Sequence, residues 1–320
     1  MQDRSAERST DIMMRRARNP RYTLIKGEFW IHNPDSPREG PQPDGDTVRF
    51  APNSVDLVRG QRRHSGRAPD INSGRINVRY EAIDTLETHF KGKHQNLALA
   101  HAARDENLRL LGFENVHFFP DLPETVQAVD VNPLQGYVLA NGIESNGRLL
   151  GLVYAGATDR ADGEKIFVDD AVLDESLNAR LASTGLAYVE PYDTMPIAMV
   201  GRMRVLVAEA RNAKKGLWAR EDVTTSKAAE IRNLAGIQAL VMWPKLFRRL
   251  ADYFAEGHNG LARFDAWIRD DPVRRDDALR LPDGEAANMH DTYLIDGNEI
   301  RLAFRPEDLL ITPDPKPAFR

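Results

Sequence analysis

The sequence predicts a mainly β chain with packed helices, an α+β class, and three observations carry that expectation. Runs of β-branched and aromatic residues bounded by Gly, Pro, Asn and Asp recur between residues 22 and 154, as strands joined by turns do. Apolar residues at helical spacing separate and follow them. From about residue 224 the pattern changes to one strongly amphipathic helix and a hairpin, which predicts a second, smaller α+β unit. With 320 residues and 42% hydrophobic content, the chain can bury a sizeable core and is long enough for two units.

In chain order, residues 1–20 are charged and aperiodic and read as a flexible arm. Tyr22 to Ile31 is rich in β-formers and gives a first strand, followed by a Pro/Gly/Asp loop from Asn33 to Gly45. Asp44-Gly45-Asp46 then turns into a second strand, Thr47 to Phe50. Residues 53–74 carry Gly60, Gly66 and Gly74 with Arg59, Arg62, Arg63 and Arg67 but few large apolar residues, which predicts a long exposed insertion. Arg75 to Ile83 reads as a third strand, with Val78, Tyr80 and Ala82 on one face and Arg79, Glu81 and Ile83 on the other. Leu97, Ala100, Arg104, Leu108 and Leu111 recur at helical spacing between Lys93 and Leu111, and Gly112 supplies the stop. Strands are expected at Val126 to Val131, Gly136 to Ala140 and Leu149 to Tyr154, the last after the Asn146-Gly147 turn. Helices follow at Ala171 to Thr184 and at Pro196 to Lys215, the latter with Pro in its first turn and Gly216 beyond its end. In the second unit Ile237 to Ala255 is helical, Phe264 to Ile268 continues it, and Asp296-Gly297 joins the two arms of a hairpin. The expected division is 21–222 and 223–320.

Composition excludes several chemistries. There are no cysteines, so disulfides, thiolate zinc sites and Cys nucleophiles are ruled out, and a reducing cytoplasm suits the chain. No stretch approaches the roughly 20 apolar residues of a membrane helix, and the polar, Arg-rich start has no apolar leader core, so neither export nor a membrane partner is expected. The net charge of −5 argues against a general nucleic-acid coat protein, whose non-specific affinity comes from Lys and Arg neutralising phosphates. Residues 1–67 hold 13 Lys and Arg against 9 Asp and Glu, so the amino-terminal stretch leans basic within an acidic chain.

Asp46 and Asp84 each sit at a predicted strand end, where a turn exposes a carboxylate that the sheet holds in place. Glu87 follows Asp84 by three residues, so one tight loop can aim both groups into one pocket. Hard oxygen ligands of this kind suit calcium or magnesium. A metal there would polarise a phosphoryl oxygen, and Glu87 would orient or deprotonate the attacking water. Guanidiniums are the natural partners for charge growing on the equatorial oxygens, and Arg79 and Arg148 are the candidates. Taken singly these spacings are weak, because an Asp-Gly-Asp turn is most often only a turn.

Together they resemble the staphylococcal nuclease, or thermonuclease-like, family. Asp44-Gly45-Asp46-Thr47-Val48, Val78 to Thr88, Asn146-Gly147-Arg148, Leu177 to Leu181 with Gly185 to Val189, and Glu209 to Trp218 occur in family order and span about residues 22–220. The resemblance implies a five-stranded OB-fold barrel with packed helices. It implies Asp46 and Asp84 as calcium ligands with the Thr85 carbonyl as a third, Glu87 as general base, and Arg79 and Arg148 as phosphate contacts. It further implies metal-dependent cleavage of DNA or RNA that leaves 3′-phosphate ends. An OB barrel is also a common nucleic-acid platform.

Two departures stand out. Leu86 replaces the family's usual Pro and removes a fixed φ from the ligand loop, which predicts a less rigid site. The 53–74 insertion is long, as if to gate or widen the site. Lys91 and Lys93 are the nearer candidates for nucleic-acid contact, with Arg62, Arg63, Tyr188 and Tyr192 as weaker ones. His89, His94 and His101 lack a metal-ligand spacing and read as surface or core residues. An EF-hand is excluded, since the twelfth position from Asp44 is Val55. Trp243, Phe247, Leu250 and Phe254 form a helical stripe that predicts core or the contact with the barrel, with a partner groove or self-association surface as the second reading. A non-catalytic OB binding module, or a scaffold acting through its carboxy-terminal unit, is the competing function.

Overall fold

The computed structural model describes residues 21–313, and the arm expected over 1–20 lies outside them. Burial of most of strand β1 (Tyr22–Trp30) follows from its place between two neighbours. It pairs antiparallel with β2 (Thr47–Pro52) on one side and with β7 (Leu134–Ile143) on the other. β2 continues to β3 (Ile76–Tyr80), β3 runs parallel to β8 (Leu149–Ala155), and β8 returns antiparallel to β7. The five strands thus close in the order β1-β2-β3-β8-β7, a mixed OB barrel, with the short β9 (Lys165–Ile166) paired to the start of β1. Closure brings backbones close at Gly27, where a Cβ would lie 2.2 Å from the Ala51 carbonyl oxygen.

Three expectations are corrected by local geometry. The third strand does not run through to Ile83. It ends at Tyr80, because Ala82 takes φ +70, and the chain re-emerges as β4 (Ile83–Asp84), which leaves the barrel to pair with β10 (Tyr188–Val189). The strand expected at 126–131 is instead part of a hairpin of β5 (His117–Phe119) and β6 (Leu122–Ala128) outside the barrel. The helix expected over 171–184 is two, α3 (Asp170–Glu175) and α4 (Leu177–Ser183), broken at extended Ser176, whose hydroxyl caps α4 through the Ala179 N–H. Asn178 in α4 is fully buried and ties the barrel corner: its side chain donates to the Glu81 and Gly151 carbonyls and accepts from the Val153 N–H.

Two more helices flank the barrel, α2 (Leu97–Leu111), capped by Asn96, and α5 (Ile197–Asn212). The 53–74 segment opens with a short helix α1 (Val55–Arg59) and then lies along the β7–β8 turn. There the Asp70 N–H donates to the Gly147 carbonyl at 2.8 Å and the Ile143 N–H to the Arg62 carbonyl at 2.7 Å.

Beyond residue 223 the expected long helix is also divided, into α6 (Leu234–Gln238) and α7 (Pro244–Ala255), because Pro244 opens a helix and cannot continue one. α8 (Phe264–Arg269) follows. The predicted hairpin is β14 (Tyr293–Asp296) with β15 (Glu299–Leu302), joined by β11 (Ala229–Glu230). A second three-stranded sheet of β12 (Ala278–Arg280), β13 (Ala286–Asn288) and β16 (Leu310–Ile311) was not foreseen, its strands being too short to show alternation. Trp243, Phe247 and Leu250 are completely buried, and the apolar core runs from the barrel into these elements without a break. Each such side chain contributes on the order of 2–3 kcal/mol of burial. The stripe is therefore core, not an open partner groove. Among the described residues, no helix is long and apolar enough to cross a membrane.

Candidate active site

The Asp44-Gly45-Asp46 turn is held from three sides. Asn107 of α2 donates to the Asp44 carbonyl at 2.7 Å and accepts from the Tyr80 hydroxyl at 2.8 Å, and the Tyr80 N–H donates to the Asp46 carbonyl at 2.9 Å. Gly45 lies against Thr85, whose Oγ1 would be 2.6 Å from a Cβ at that position. The Thr85 N–H donates to Asp46 Oδ2 at 3.0 Å. Two loops 39 residues apart in sequence are thereby locked together.

The register of β2 on β3 sets Thr47 opposite Arg79, which brings Arg79 beside Asp46. The left-handed turn at Ala82 then folds β4 back, so that Asp84 meets the same guanidinium. Arg79 pairs with Asp46 through one terminal nitrogen and donates to Asp84 Oδ1 at 2.7 Å through the other. This is the route that strand alternation alone did not reveal.

A second guanidinium comes from α7. Arg248 donates to Asp84 Oδ1 at 3.1 Å and Oδ2 at 2.8 Å, and to Glu87 Oε1 at 2.6 Å. Burial pushes the Asp84 carboxyl up, but Arg248 and Arg79 outweigh it and hold the group well below the ordinary carboxylate range. At Glu87 burial prevails over Arg248 and raises the carboxyl. Asp44 is half-buried on the cavity wall, and its desolvation together with the neighbouring Asp46 and Glu87 carboxylates raises it well above its usual value.

The Glu87 loop is fixed from the carboxy-terminal side. Fully buried Gln95 accepts from the Glu87 N–H at 3.1 Å and donates to the Met242 carbonyl at 2.9 Å. Lys91 bonds both oxygens of Asp252 on α7 at 2.9 Å. Leu86, where a rigid Pro was missed, is completely buried. These contacts hold the loop from outside the motif.

A cavity of about 1040 Å³ opens on this corner, with Asp46, Arg79 and Glu87 on one wall and Lys245, Arg248 and Arg249 on another. Arg148 lines it too, bonded through Nε to Glu144 at 3.1 Å and 30% exposed. The 53–74 segment contributes His64, Arg67 and Asp70, so it forms part of the rim. Tyr192 lines the cavity, its hydroxyl donating to Glu190 at 3.0 Å. Tyr188 does not: it is completely buried, edge-on to Trp218, and offers no face for a base. Lys91, Lys93, Arg62 and Arg63 also lie off the cavity wall.

The donors available to a metal are oxygens from Asp46, Asp84, Glu87 and the Thr85 backbone, which suit a hard cation. Asp84 and Glu87 are at present bonded to the Arg248 guanidinium. Among the described residues no group of three or more Asp, Glu or His side chains is placed to hold a metal ion, and two guanidiniums lie between the carboxylates. An ion there would rely on two carboxylates, a backbone carbonyl and water.

Arg248, Gln95 and Asp44 were not singled out by sequence reasoning. A signal existed for Arg248: Lys245 and Arg248 share a helix with the buried stripe, and cations on the inward side of an amphipathic helix require carboxylate partners.

No curated protein matches the chain. Residues 77–220 match the model of the staphylococcal nuclease homologue family. The match begins inside β3, leaving β1, β2 and Asp46 outside it, yet those strands complete the same barrel. Barrel order and matched stretch agree, and the chain carries, over residues 77–220, a domain of the staphylococcal nuclease homologue family.

Proposed function

We propose that the chain is a calcium-dependent endonuclease that cleaves DNA, RNA or both and leaves 3′-phosphate ends, with magnesium or manganese as alternative ions. The observation that carries this reading is that Arg79 bridges Asp46 and Asp84 while Arg248 bridges Asp84 and Glu87, with Asp46, Arg79 and Glu87 on the cavity wall and Asp84 buried beside them. In it, Asp46, Asp84 and the Thr85 carbonyl hold the ion, which supplies Lewis-acid polarisation of the phosphoryl oxygen when bound. Glu87 takes a proton from the attacking water as its oxygen bonds to phosphorus and the 5′-oxygen departs. A carboxyl raised by burial is closer to the working pH of a general base than an exposed one. Arg79 and Arg148 present planar donors to the phosphate oxygens, and their charge matters most in the transition state. In this reading Tyr192, on the cavity wall, would offer an aromatic face to a base. We read 21–222 as the nuclease domain with 53–74 as an insertion, and 223–320 as a unit that walls its site. The cysteine-free composition suits a cytoplasmic setting.

The test is cleavage of labelled single-stranded DNA, duplex DNA and RNA with calcium, magnesium, manganese or chelator, beside Glu87→Gln. Calcium-dependent cutting that falls by about 10²–10⁴ in the variant is expected. A folded wild-type protein that cuts nothing with any ion would sink the proposal and favour a non-catalytic binding module.

A further inference from the structure

We propose that Arg248 is a resident cation on the metal seat, which a divalent ion must displace, so that the carboxy-terminal unit sets how tightly the nuclease domain holds its metal. The inference rests on the metal-dependent reading above.

Three observations support it. Arg248 bonds both oxygens of Asp84 and one of Glu87, so it occupies the donors an ion at Asp84 needs. Arg79 also touches Asp84, but from β3 of the barrel itself and through one oxygen only. With Arg248 in place, the carboxylates of Asp46, Asp84 and Glu87 face two guanidiniums. With it withdrawn they face one, a surplus of two negative charges that matches a single divalent ion.

Withdrawal does not require the fold to open. The helix bearing Arg248 is fixed by completely buried Trp243, Phe247 and Leu250, and the Trp243 indole N–H donates to Glu190 at 2.7 Å. Arg248 lines the large cavity and its side chain is 19% exposed, so a change of side-chain rotamer can take its guanidinium off Asp84 and into that space. There it meets the position of an incoming phosphate, for which a guanidinium is a good partner. Metal entry and strengthening of the phosphate-facing charge are then one movement. The cost is the loss of a buried charge-assisted pair, which weakens metal binding relative to a site with no such arginine.

The experiment is calorimetric calcium titration of the full chain in four forms, wild type, Arg248→Gln, Arg248→Lys and Asp84→Asn, with no nucleic acid present. Arg248→Gln is expected to bind calcium at least tenfold more tightly than wild type, Arg248→Lys to fall between them, and Asp84→Asn to lose binding. A direct readout on wild type keeps the test independent of how the variants fold. In protein labelled with ¹⁵N at arginine Nε, calcium should shift the Arg248 signal. Equal or weaker binding by Arg248→Gln overturns the proposal, as does an Arg248 signal unmoved by saturating calcium. Absence of calcium binding in every form also overturns it. In that case cleavage that requires magnesium or manganese leaves the metal-dependent nuclease reading standing, whereas cleavage that persists in chelator, or no cleavage with any ion, removes both.

Discussion

Replacing Gln95 by Met isolates the link between the Glu87 loop and the carboxy-terminal unit. Met has similar length and fills the same space, so the change removes polar contacts without opening a large cavity. The side chain is completely buried, and its two bonds satisfy the Glu87 N–H and the Met242 carbonyl. Net loss of two neutral hydrogen bonds costs roughly 1–3 kcal/mol, and leaving two buried backbone groups unpaired raises the total to about 2–5 kcal/mol. Against a typical stability of about 5–15 kcal/mol that is a large fraction. The backbone bond from the Gln95 N–H to the Glu87 carbonyl, at 2.9 Å, survives the substitution and keeps the loop near its place. The assay is urea unfolding followed by tryptophan fluorescence, paired with native-state amide exchange at Glu87. The exchange rate there should rise while amides of β1 and β7 change only with global stability. A loss below about 0.5 kcal/mol, or unchanged exchange at Glu87, would refute the view that Gln95 stitches the two parts together.

Other outcomes follow from the same packing. Asn178→Ala removes three buried hydrogen bonds at the barrel corner and should lower stability by roughly 3 kcal/mol or more, measured by chemical denaturation. Gly45→Ala drives a Cβ into Thr85; kinetics should show a fall of about 10²-fold for a displacement near 1 Å, with a stability loss of only about 1–3 kcal/mol. Glu81, 1% exposed, has its carboxyl pushed from 4.5 up to about 7 by burial, against the opposing bond from Asn141. The folded chain then holds a proton that the unfolded chain releases between those values. Stability should decline as pH rises through that window by roughly 3 kcal/mol in all, and Glu81→Gln should abolish the decline; unfolding at pH 5 and pH 8 decides it.

How much was legible in the sequence depended on the range over which each feature is set. Barrel strands β1, β2, β7 and β8 follow from local β-formers and turn residues, and their ends fell within a few residues of expectation. Asp46, Asp84, Glu87 and Arg79 could be grouped because recognisable motifs carried them. The turn at Ala82 could not be read, since a positive φ at alanine is imposed by the pairing of β4 with β10, more than a hundred residues downstream. Arg248 lay further out of reach. It meets Glu87 across 161 positions, and no local pattern states which buried carboxylate a helix-borne guanidinium will find. The expectation from Leu86 was drawn from the motif alone and could not include the bonds that Gln95, Met242 and Asp252 bring to this loop from outside it.

The shared wall of the cavity also bears on where this chain can be divided. Ending it at residue 222 would not free a finished barrel enzyme. It would bare the apolar surface that Trp243, Phe247 and Leu250 cover, and it would leave Asp84 with one guanidinium in place of two. It would also leave the Gln95 amide with no carbonyl to meet. During synthesis the same situation holds for a time: the acidic corner and its first guanidinium, Arg79, are complete once Glu87 has been made, and the second counter-charge arrives only when residue 248 has followed. The last third of the chain therefore decides when, and not only how, that corner takes its folded charge state.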